Sequence, residues 1–159
     1  MHLAQINVAK IVHDMDGPQM ADFVAALDNI NALADRSPGF VWRLIGDGGD
    51  ATDVRFGDES DLLINMSVWA DIESLRAFVY KTAHGAVMAR RGKWFPALGR
   101  PHMALWWVAE GAAPTLADAF VRLQSLAAHG PTAFAFTFDH PFDAAGQELA
   151  LAPITKDCA

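Results

Sequence analysis

One stretch of sequence, LLINMSVWADIESLRAFVY at residues 62–80, joins a strand pattern directly to a helix pattern. Its first eight residues alternate between an apolar set and a mixed set, which is the period of an extended chain. Asp71 then stands where a helix N-cap is expected, and the apolar residues that follow recur at helical spacing. The stretch therefore predicts a strand over Leu62–Trp69 that passes into a helix beginning near Ile72.

The rest of the chain supplies further strands and helices around this unit. The predicted strands lie at residues 3–12, 40–45 and 103–108, with a last one that contains Phe134, Phe136 and Phe138. The predicted helices lie between Pro18 and Ser37, from about His84 to Trp94, and between Thr115 and Gly130, and a break near Thr82 to Gly85 is an open alternative to a continuous helix before Trp94. This order is β-α-β-β-α-β with an appended α-β unit, which is the ferredoxin-like plan of the α+β class. No linker divides the chain, so a single domain over residues 1–159 is expected.

The two faces of the third strand differ in character. The apolar face consists of Leu62, Ile64, Met66 and Val68, and it is expected to lie under the helices. The mixed face consists of Leu63, Asn65, Ser67 and Trp69, and such a mixture is typical of a pocket wall. Asn7 is expected to share this interior because the first and third strands are neighbours in the fold. A second subunit is expected to cover that face, which would make a homodimeric α/β barrel.

Three side chains that follow Trp69 are candidates for acid–base chemistry. Tyr80, His84 and Arg91 are spaced by four and seven residues, which places them on one face if the helix is continuous. Histidine exchanges a proton near neutral pH, and arginine can hold a carboxylate or a developing oxyanion. The alternative is that Arg91 belongs to a solvated helical face and that His84 is structural. The predicted catalytic residues are Asn65, Trp69, His84 and Arg91. The predicted substrate-binding residues are Asn7, Ser67, Tyr80 and Trp106.

Trp106 and Trp107 are adjacent on one strand, so they must face opposite sides of the sheet. One of them is expected to pack in the core or an interface and the other to face the pocket, for which Trp106 is the candidate. For any single aromatic residue, packing is the commoner role.

Composition limits the possible partners. The formal net charge of −7 argues against nucleic acid or an anionic membrane, because phosphate groups need a basic surface. Hydrophobic residues make up 52% of the chain, which is enough for a full core, and no apolar run is long enough to predict a membrane span. The lone Cys158 excludes a disulfide framework, and together with the lack of a signal-peptide pattern it favours the cytoplasm.

No motif for a metal or a cofactor stands out. The acidic loop at residues 46–60 lacks the alternation and closing glutamate of an EF-hand, so it is interpreted as a solvated mobile loop, with a calcium site as the alternative. The histidines show no zinc-like spacing, and no metal is predicted. The glycine-rich nucleotide motifs and the Gly-x-Ser-x-Gly motif of serine hydrolases are missing, so no cofactor is predicted either.

Five phrases along nearly the whole chain carry a family resemblance. They are GFVWRL at residues 39–44, NMSVWADIESLRAFVY at 65–80, RRGKWF at 90–95, LWWV at 105–108 and PTLADAFVRLQSLAAHGPTAFAFTF at 114–138. They resemble a bacterial family catalogued only as a domain of unknown function. The resemblance implies the dimeric α/β barrel fold and brings no established activity.

A more distant resemblance is to the antibiotic biosynthesis monooxygenases and their haem-degrading relatives. In these proteins a tryptophan closes a strand and a helix then leads to a histidine, a pattern that Trp69 and His84 match. Asn65 and either Arg90 or Arg91 match the asparagine and arginine of the quinone-forming members. Asn7 resembles the first-strand asparagine of the haem-degrading members.

Three functions are compatible with this sequence. The first is a cofactor-independent oxygenase for an electron-rich aromatic or enol, in which His84 or a water takes a proton and Asn65, Trp69 and Arg91 stabilise the anion. The same pocket could run an isomerisation or a cyclisation. The second is a haem-handling protein with His84 as axial ligand. The third is a non-catalytic module that binds a small apolar metabolite.

Overall fold

The computed structural model describes residues 1–151, so Cys158 and the end of the predicted domain lie outside the described residues. The strands are β1 (His2–Lys10), β2 (Phe40–Arg43), β3 (Leu62–Trp69) and β4 (Met103–Val108). The helices are α1 (Ala21–Asp35), α2 (Ile72–Lys81), α3 (Ala83–Ala89) and α4 (Leu116–His129), with a 3₁₀ turn at Arg91–Lys93. None of the helices in this part of the chain is long and apolar enough to cross a membrane.

The four strands form one antiparallel sheet in the order β2-β3-β1-β4. The central strand β1 pairs with β3, so that Asn7 lies opposite Asn65 and Leu3 lies opposite Trp69. The element order up to β4 and this strand order are those of a ferredoxin-like fold, and the predicted fold class is confirmed.

The helical stretch after β3 breaks at Thr82, which is the alternative that the sequence leaves open. Thr82 is extended, with φ −118° and ψ −178°, and its hydroxyl serves both neighbouring helices. The Oγ1 atom donates to the carbonyl of Phe78 at 2.6 Å and accepts from the amide of His84 at 3.2 Å. Thr82 therefore ends α2 and caps α3, which changes the direction of the chain between the two helices.

The apolar face of β3 is covered by the appended helix α4. Leu62, Ile64, Met66 and Val68 form one buried cluster with residues of β1, β4 and α4. The members that α4 contributes are Ala119, Phe120, Leu123 and Leu126. This face therefore lies under a helix, as expected, and that helix is the appended α4.

The mixed face of the sheet is covered by α1, α2 and α3 of the same chain. Leu3 and Trp69 pack with Ala34 of α1 and with Leu75 and Phe78 of α2. The expected cover by a second subunit is thus not needed on this face, and the reason given for a dimer does not hold.

The predicted last strand is reduced to a single bridge. Phe136 and Leu105 exchange two backbone hydrogen bonds of 2.8 and 2.9 Å, and no ladder extends from them in the described residues. Turns on both sides of Phe136 prevent a longer pairing, since Thr132 already bonds to Ala135. Phe136 itself is fully buried, whereas Phe134 is exposed.

Candidate functional site

A cavity of about 940 Å³ lies between the mixed face of the sheet and helices α1 to α3. Its floor is made by the side chains of β1 and β3 that share this face, among them Gln5, Asn7, Asn65, Ser67 and Trp69. A volume of this size is in the range of small-molecule sites. The sequence predicts that this interior lies between two subunits. In the structure, residues of one chain form the walls of the cavity.

A hydrogen-bond network fixes the polar groups on this floor. The Nε2 atom of Gln5 donates to Oδ1 of Asn65 at 2.7 Å and to Oγ of Ser67 at 3.0 Å. The indole N–H of Trp69 donates to the same Ser67 oxygen at 2.9 Å. Asn65 is left with its NH₂ group and Ser67 with its own hydroxyl proton, so both can donate to a ligand. The floor of the cavity is therefore an array of hydrogen-bond donors.

Sequence reasoning missed Gln5. The residue is buried and shares the face of Asn7, two positions away on β1. Its position at period two from Asn7 was the available signal, because both side chains must point to the same side of the sheet.

An aromatic stack joins the network to His84. Trp69 stacks on Phe78 with ring centroids 5.0 Å apart, and the His84 ring lies 4.8 Å from Phe78. Nδ1 of His84 lies 3.4 Å from the carbonyl oxygen of Val79. Burial lowers the pKa of His84, although the hydrogen bond to Val79 opposes the shift. A neutral ring that donates from Nδ1 keeps Nε2 as a proton acceptor.

The cavity has a second polar end at Arg91 and His102. Nη2 of Arg91 donates to the carbonyl of Val8 at 3.0 Å. His102, which precedes β4, also lines the cavity, and its pKa is lowered first by burial and then by the charge of Arg91. No pattern in the sequence points to His102, because its partners come from other elements.

His84 and Arg91 do not share one continuous helix. His84 lies in the first turn of α3, and Arg91 opens the 3₁₀ turn that follows α3. Seven residues of helix span about 10 Å, so the two side chains mark different regions of one cavity. Tyr80 belongs to α2 on the other side of the break at Thr82.

Tyr80 lies at the rim of the cavity. Its side chain is exposed, and its ring meets Phe138 edge-to-face at 5.7 Å. Partial burial, and after it the charge of Asp139, raise the pKa of the Tyr80 phenol. Tyr80 therefore stays a neutral hydroxyl in the physiological range.

Trp106 does not line the cavity. It lies opposite Ala4 on β1, which places it on the α4 face, where it is fully buried. Trp107 has the opposite orientation and donates from Nε1 to the carbonyl of Phe142 at 2.8 Å. The expectation that Trp106 faces the pocket is corrected by this register, since the even-numbered residues of β1 face α4.

The apolar wall of the cavity is aromatic near α1. Phe23 contacts Trp94 at 5.5 Å and Phe95 at 5.1 Å between ring centroids, and all three line the cavity. The guanidinium of Arg90 lies 5.5 Å from the Trp94 ring, but Arg90 does not line the cavity in the described chain. This wall suits a flat aromatic ligand, because aromatic pairs favour offset or edge-to-face contact.

The described residues contain no group of three or more His, Cys, Asp or Glu side chains that could hold a metal ion. The acidic loop makes hydrogen bonds within itself, with Asp53 accepting from the amide of Asp47 and Asp50 from that of Thr52. Thr52 and Asp50 reach the edge of the cavity. The loop therefore forms part of the cavity's border.

The fold and the site define a class: a ferredoxin-like α+β protein with a cavity, lined by hydrogen-bond donors, between its sheet and helices. The model of the family described as "Domain of unknown function (DUF3291)" matches residues 2–152, and the chain belongs to this family. The predicted membership of a family of unknown function is confirmed. Among curated proteins, none matches the chain significantly.

The alignment with one solved structure agrees with this fold. Rv0793 from Mycobacterium tuberculosis aligns with a TM-score of 0.50 and 13% identity over 71% of this chain and 100% of its own. SnoaB from Streptomyces nogalater, described as a cofactor-independent oxygenase, aligns at 0.46 and 18% identity over 72% of this chain and 98% of its own. A monooxygenase from the gene ActVA-Orf6 of Streptomyces coelicolor, in complex with nanaomycin D, aligns at 0.43 and 14% identity over 72% and 92%. Similarity at these identities concerns the fold alone.

Proposed function

We propose that this protein binds a small, electron-rich aromatic or enolic molecule in the cavity and oxidises it with molecular oxygen, without a cofactor. The observation that carries the proposal is the donor array of Asn65 and Ser67, held in place by Gln5 on the floor of the cavity. Donors that are already oriented stabilise a developing oxyanion without the reorganisation that water requires. A substrate that becomes an enolate or a phenolate there would be activated toward oxygen.

His84 supplies the base in this proposal. Burial keeps the imidazole neutral at neutral pH, and its Nε2 atom is free to accept a proton directly or through a water. Trp69 acts through Ser67, because its N–H already donates to the Ser67 oxygen. Arg91 is not assigned to the proton step, since it lies at the opposite end of α3 from His84.

The reaction balances without a further reductant. An enolisable tricyclic ketone such as anthrone would lose the proton that His84 accepts, and the anion would pass electrons to oxygen. One oxygen atom then forms the new C=O bond, and the other leaves as water with the two hydrogens of the oxidised carbon. All four electrons that oxygen accepts come from the substrate.

Oxygen uptake with anthrone tests the proposal. The wild-type protein is expected to consume one O₂ for each anthraquinone formed, and Asn65→Ala to lower kcat by roughly 100-fold, as for the loss of one oxyanion donor. Asn29→Ala is the matched control, because Asn29 is an exposed residue of α1 that does not line the cavity. Anthrone that binds without oxygen uptake would favour the non-catalytic binding module. Full activity in Asn65→Ala would disprove the assignment of the donor array.

We also propose that a homodimer, where it forms, leaves the cavity intact. The cavity walls come from one chain, and α4 occupies the sheet face opposite them. Light scattering across a dilution series, run beside the uptake assay, checks this: activity per chain is expected to stay constant whether the protein is a monomer or a dimer.

A further inference from the structure

The end of the cavity near Val8 brings together two nitrogen-bearing side chains from distant parts of the sequence. The Val8 carbonyl accepts from Nη2 of Arg91 at 3.0 Å, and the Val8 amide donates to the carbonyl of His102 at 2.8 Å. The N–H and C=O of one strand residue point to the same side. Arg91 and the backbone of His102 therefore meet where the pairing of β1 with β4 ends, and both residues line the cavity.

Arg91 is a cation without an acidic partner in the described residues. The ion pairs of the neighbouring loops join Lys10 to Asp61 at 3.4 Å and Arg100 to Glu59 at 2.7 Å, and neither includes Arg91. Its guanidinium carries five N–H donors, of which the hydrogen bond to Val8 uses one. A half-buried guanidinium with donors to spare favours an anion that can accept from it.

The protonation state of His102 determines the total positive charge at this end of the cavity, and therefore the charge of the anion that it matches. Burial and the nearby charge of Arg91 both lower the pKa of His102, so its imidazole is neutral at neutral pH. Arg91 and His102 together then carry a single positive charge, which matches a monoanion. The side chain of Asn7 lines the cavity beside them, and within residues 1–151 its carboxamide has no hydrogen-bond partner.

We propose that Arg91, His102 and Asn7 form a carboxylate subsite, so that the ligand of this cavity is an elongated aromatic acid. This inference rests on the proposed function, because it takes the cavity to be the ligand site. Val8 lies three residues along β1 from Gln5, which is about 10 Å of strand. The ligand would place its carboxylate at Arg91 and its reacting hydroxyl or enol oxygen at Ser67, which lies opposite Gln5, while Asn7 and Asn65 face each other between the two ends. The planar guanidinium fork suits the two oxygens of a carboxylate.

Calorimetric titration with three probes tests the subsite: 6-hydroxy-2-naphthoic acid, its methyl ester and 2-naphthol. The wild-type protein is expected to bind the acid about tenfold or more tightly than the ester, as for one charge-assisted hydrogen bond. Arg91→Gln is expected to abolish this preference and to lower the affinity for the acid far more than the affinity for 2-naphthol. Arg90→Gln, which removes the same charge from the adjacent residue outside the cavity, is expected to keep it. His102→Asn is expected to reduce the preference.

The outcomes separate the subsite from the proposed function. Equal affinity of the wild-type protein for acid and ester, with 2-naphthol still bound, would overturn the subsite and leave the oxygenase proposal standing. If none of the three probes binds, the subsite and the cavity as a ligand site both fail. If Arg91→Gln does not fold, the wild-type comparison of acid and ester and the His102→Asn variant decide the question. A preference that Arg90→Gln loses as fully as Arg91→Gln would also overturn the subsite, because it would reflect surface charge alone.

Discussion

The Nε2 atom of Gln5 lies 2.7 Å from Oδ1 of Asn65, so a residue of β1 determines which end of the Asn65 carboxamide faces the cavity. The same nitrogen donates to Ser67, so both N–H groups of the Gln5 carboxamide form hydrogen bonds with residues of the cavity floor. The donor character of the site is thus a property of two strands together. Gln5 is a positioning residue, because it acts on a ligand through Asn65 and Ser67.

Gln5→Glu is expected to reverse this orientation. A carboxylate cannot donate, so Asn65 would turn its NH₂ group toward residue 5 and present its oxygen to the cavity. We expect kcat for anthrone oxidation to fall by roughly 100-fold, as for the loss of an oxyanion donor, with a smaller change in KM. Gln5→Met is the control, since it removes the hydrogen bonds without reversing them and is expected to lose less activity. A purely structural role would give both variants the same loss of kcat and of melting temperature.

Trp69→Phe tests how the indole N–H supports Ser67. The variant keeps an aromatic ring against Phe78 but loses the hydrogen bond to Oγ and part of the volume of a fully buried indole. We expect a loss of about 1 kcal/mol in the free energy of unfolding, measured by urea titration, together with weaker anthrone binding. Trp107→Phe is matched to it, because Trp107 also donates one hydrogen bond but does not line the cavity. Weakened anthrone binding in Trp107→Phe as well would show that the effect of Trp69 is not local.

The order of strands and helices along the chain was accessible to sequence reasoning because each element carries a pattern that its own residues define. Leu62–Trp69 alternates between an apolar and a mixed set, and Asp71 caps the next helix through its bond to the amide of Ser74 at 2.7 Å. The covering of each face was not accessible. An apolar row such as Ile64 and Met66 predicts that this face is buried. It does not predict whether α1, α4 or another chain covers the face.

Some residues of the candidate site could likewise be predicted from the sequence, and others could not. Asn7 and Asn65 were predicted together because neighbouring strands bring their shared face into register, and they lie directly opposite each other. The face of the sheet on which Trp106 lies could not be predicted without that register. Trp106 and Trp107 are adjacent residues of the same type, and only a known strand pairing shows which of them faces the cavity. His102 could not be found at all, because its link to Arg91 depends on the exact point at which β4 ends.

The buried His84 predicts a pH dependence of stability. The folded protein holds its pKa below the ordinary value near 6.5, so below about pH 6.5 the unfolded chain binds more protons than the folded one. The stability contributed by the neutral ring is complete above about pH 6.5 and is lost as the pH falls toward the lowered pKa. We expect the free energy of unfolding of the wild-type protein to drop between about pH 7.5 and pH 5, and to drop less in His84→Gln.

His102 contributes to the same window, because its pKa is lowered in the same direction. His102→Gln therefore measures its share separately, and the double variant is expected to show the smallest drop. An equal drop in the wild-type protein and in the double variant would mean that neither ring is held neutral by the fold.

The helix α4 is expected to be essential for stability, because it covers the apolar face of β3. Phe120 is buried in this cluster and stacks on Phe56 of the acidic loop with ring centroids 4.7 Å apart. Phe120→Ala is expected to lower the free energy of unfolding by about 3–5 kcal/mol, as for a large aromatic residue removed from a core. Val121→Ala on the exposed side of the same helix is expected to change it by no more than about 0.5 kcal/mol. Equal effects of the two substitutions would mean that α4 does not pack on the sheet, and the face bearing Ile64 and Met66 would then require a cover from a second chain.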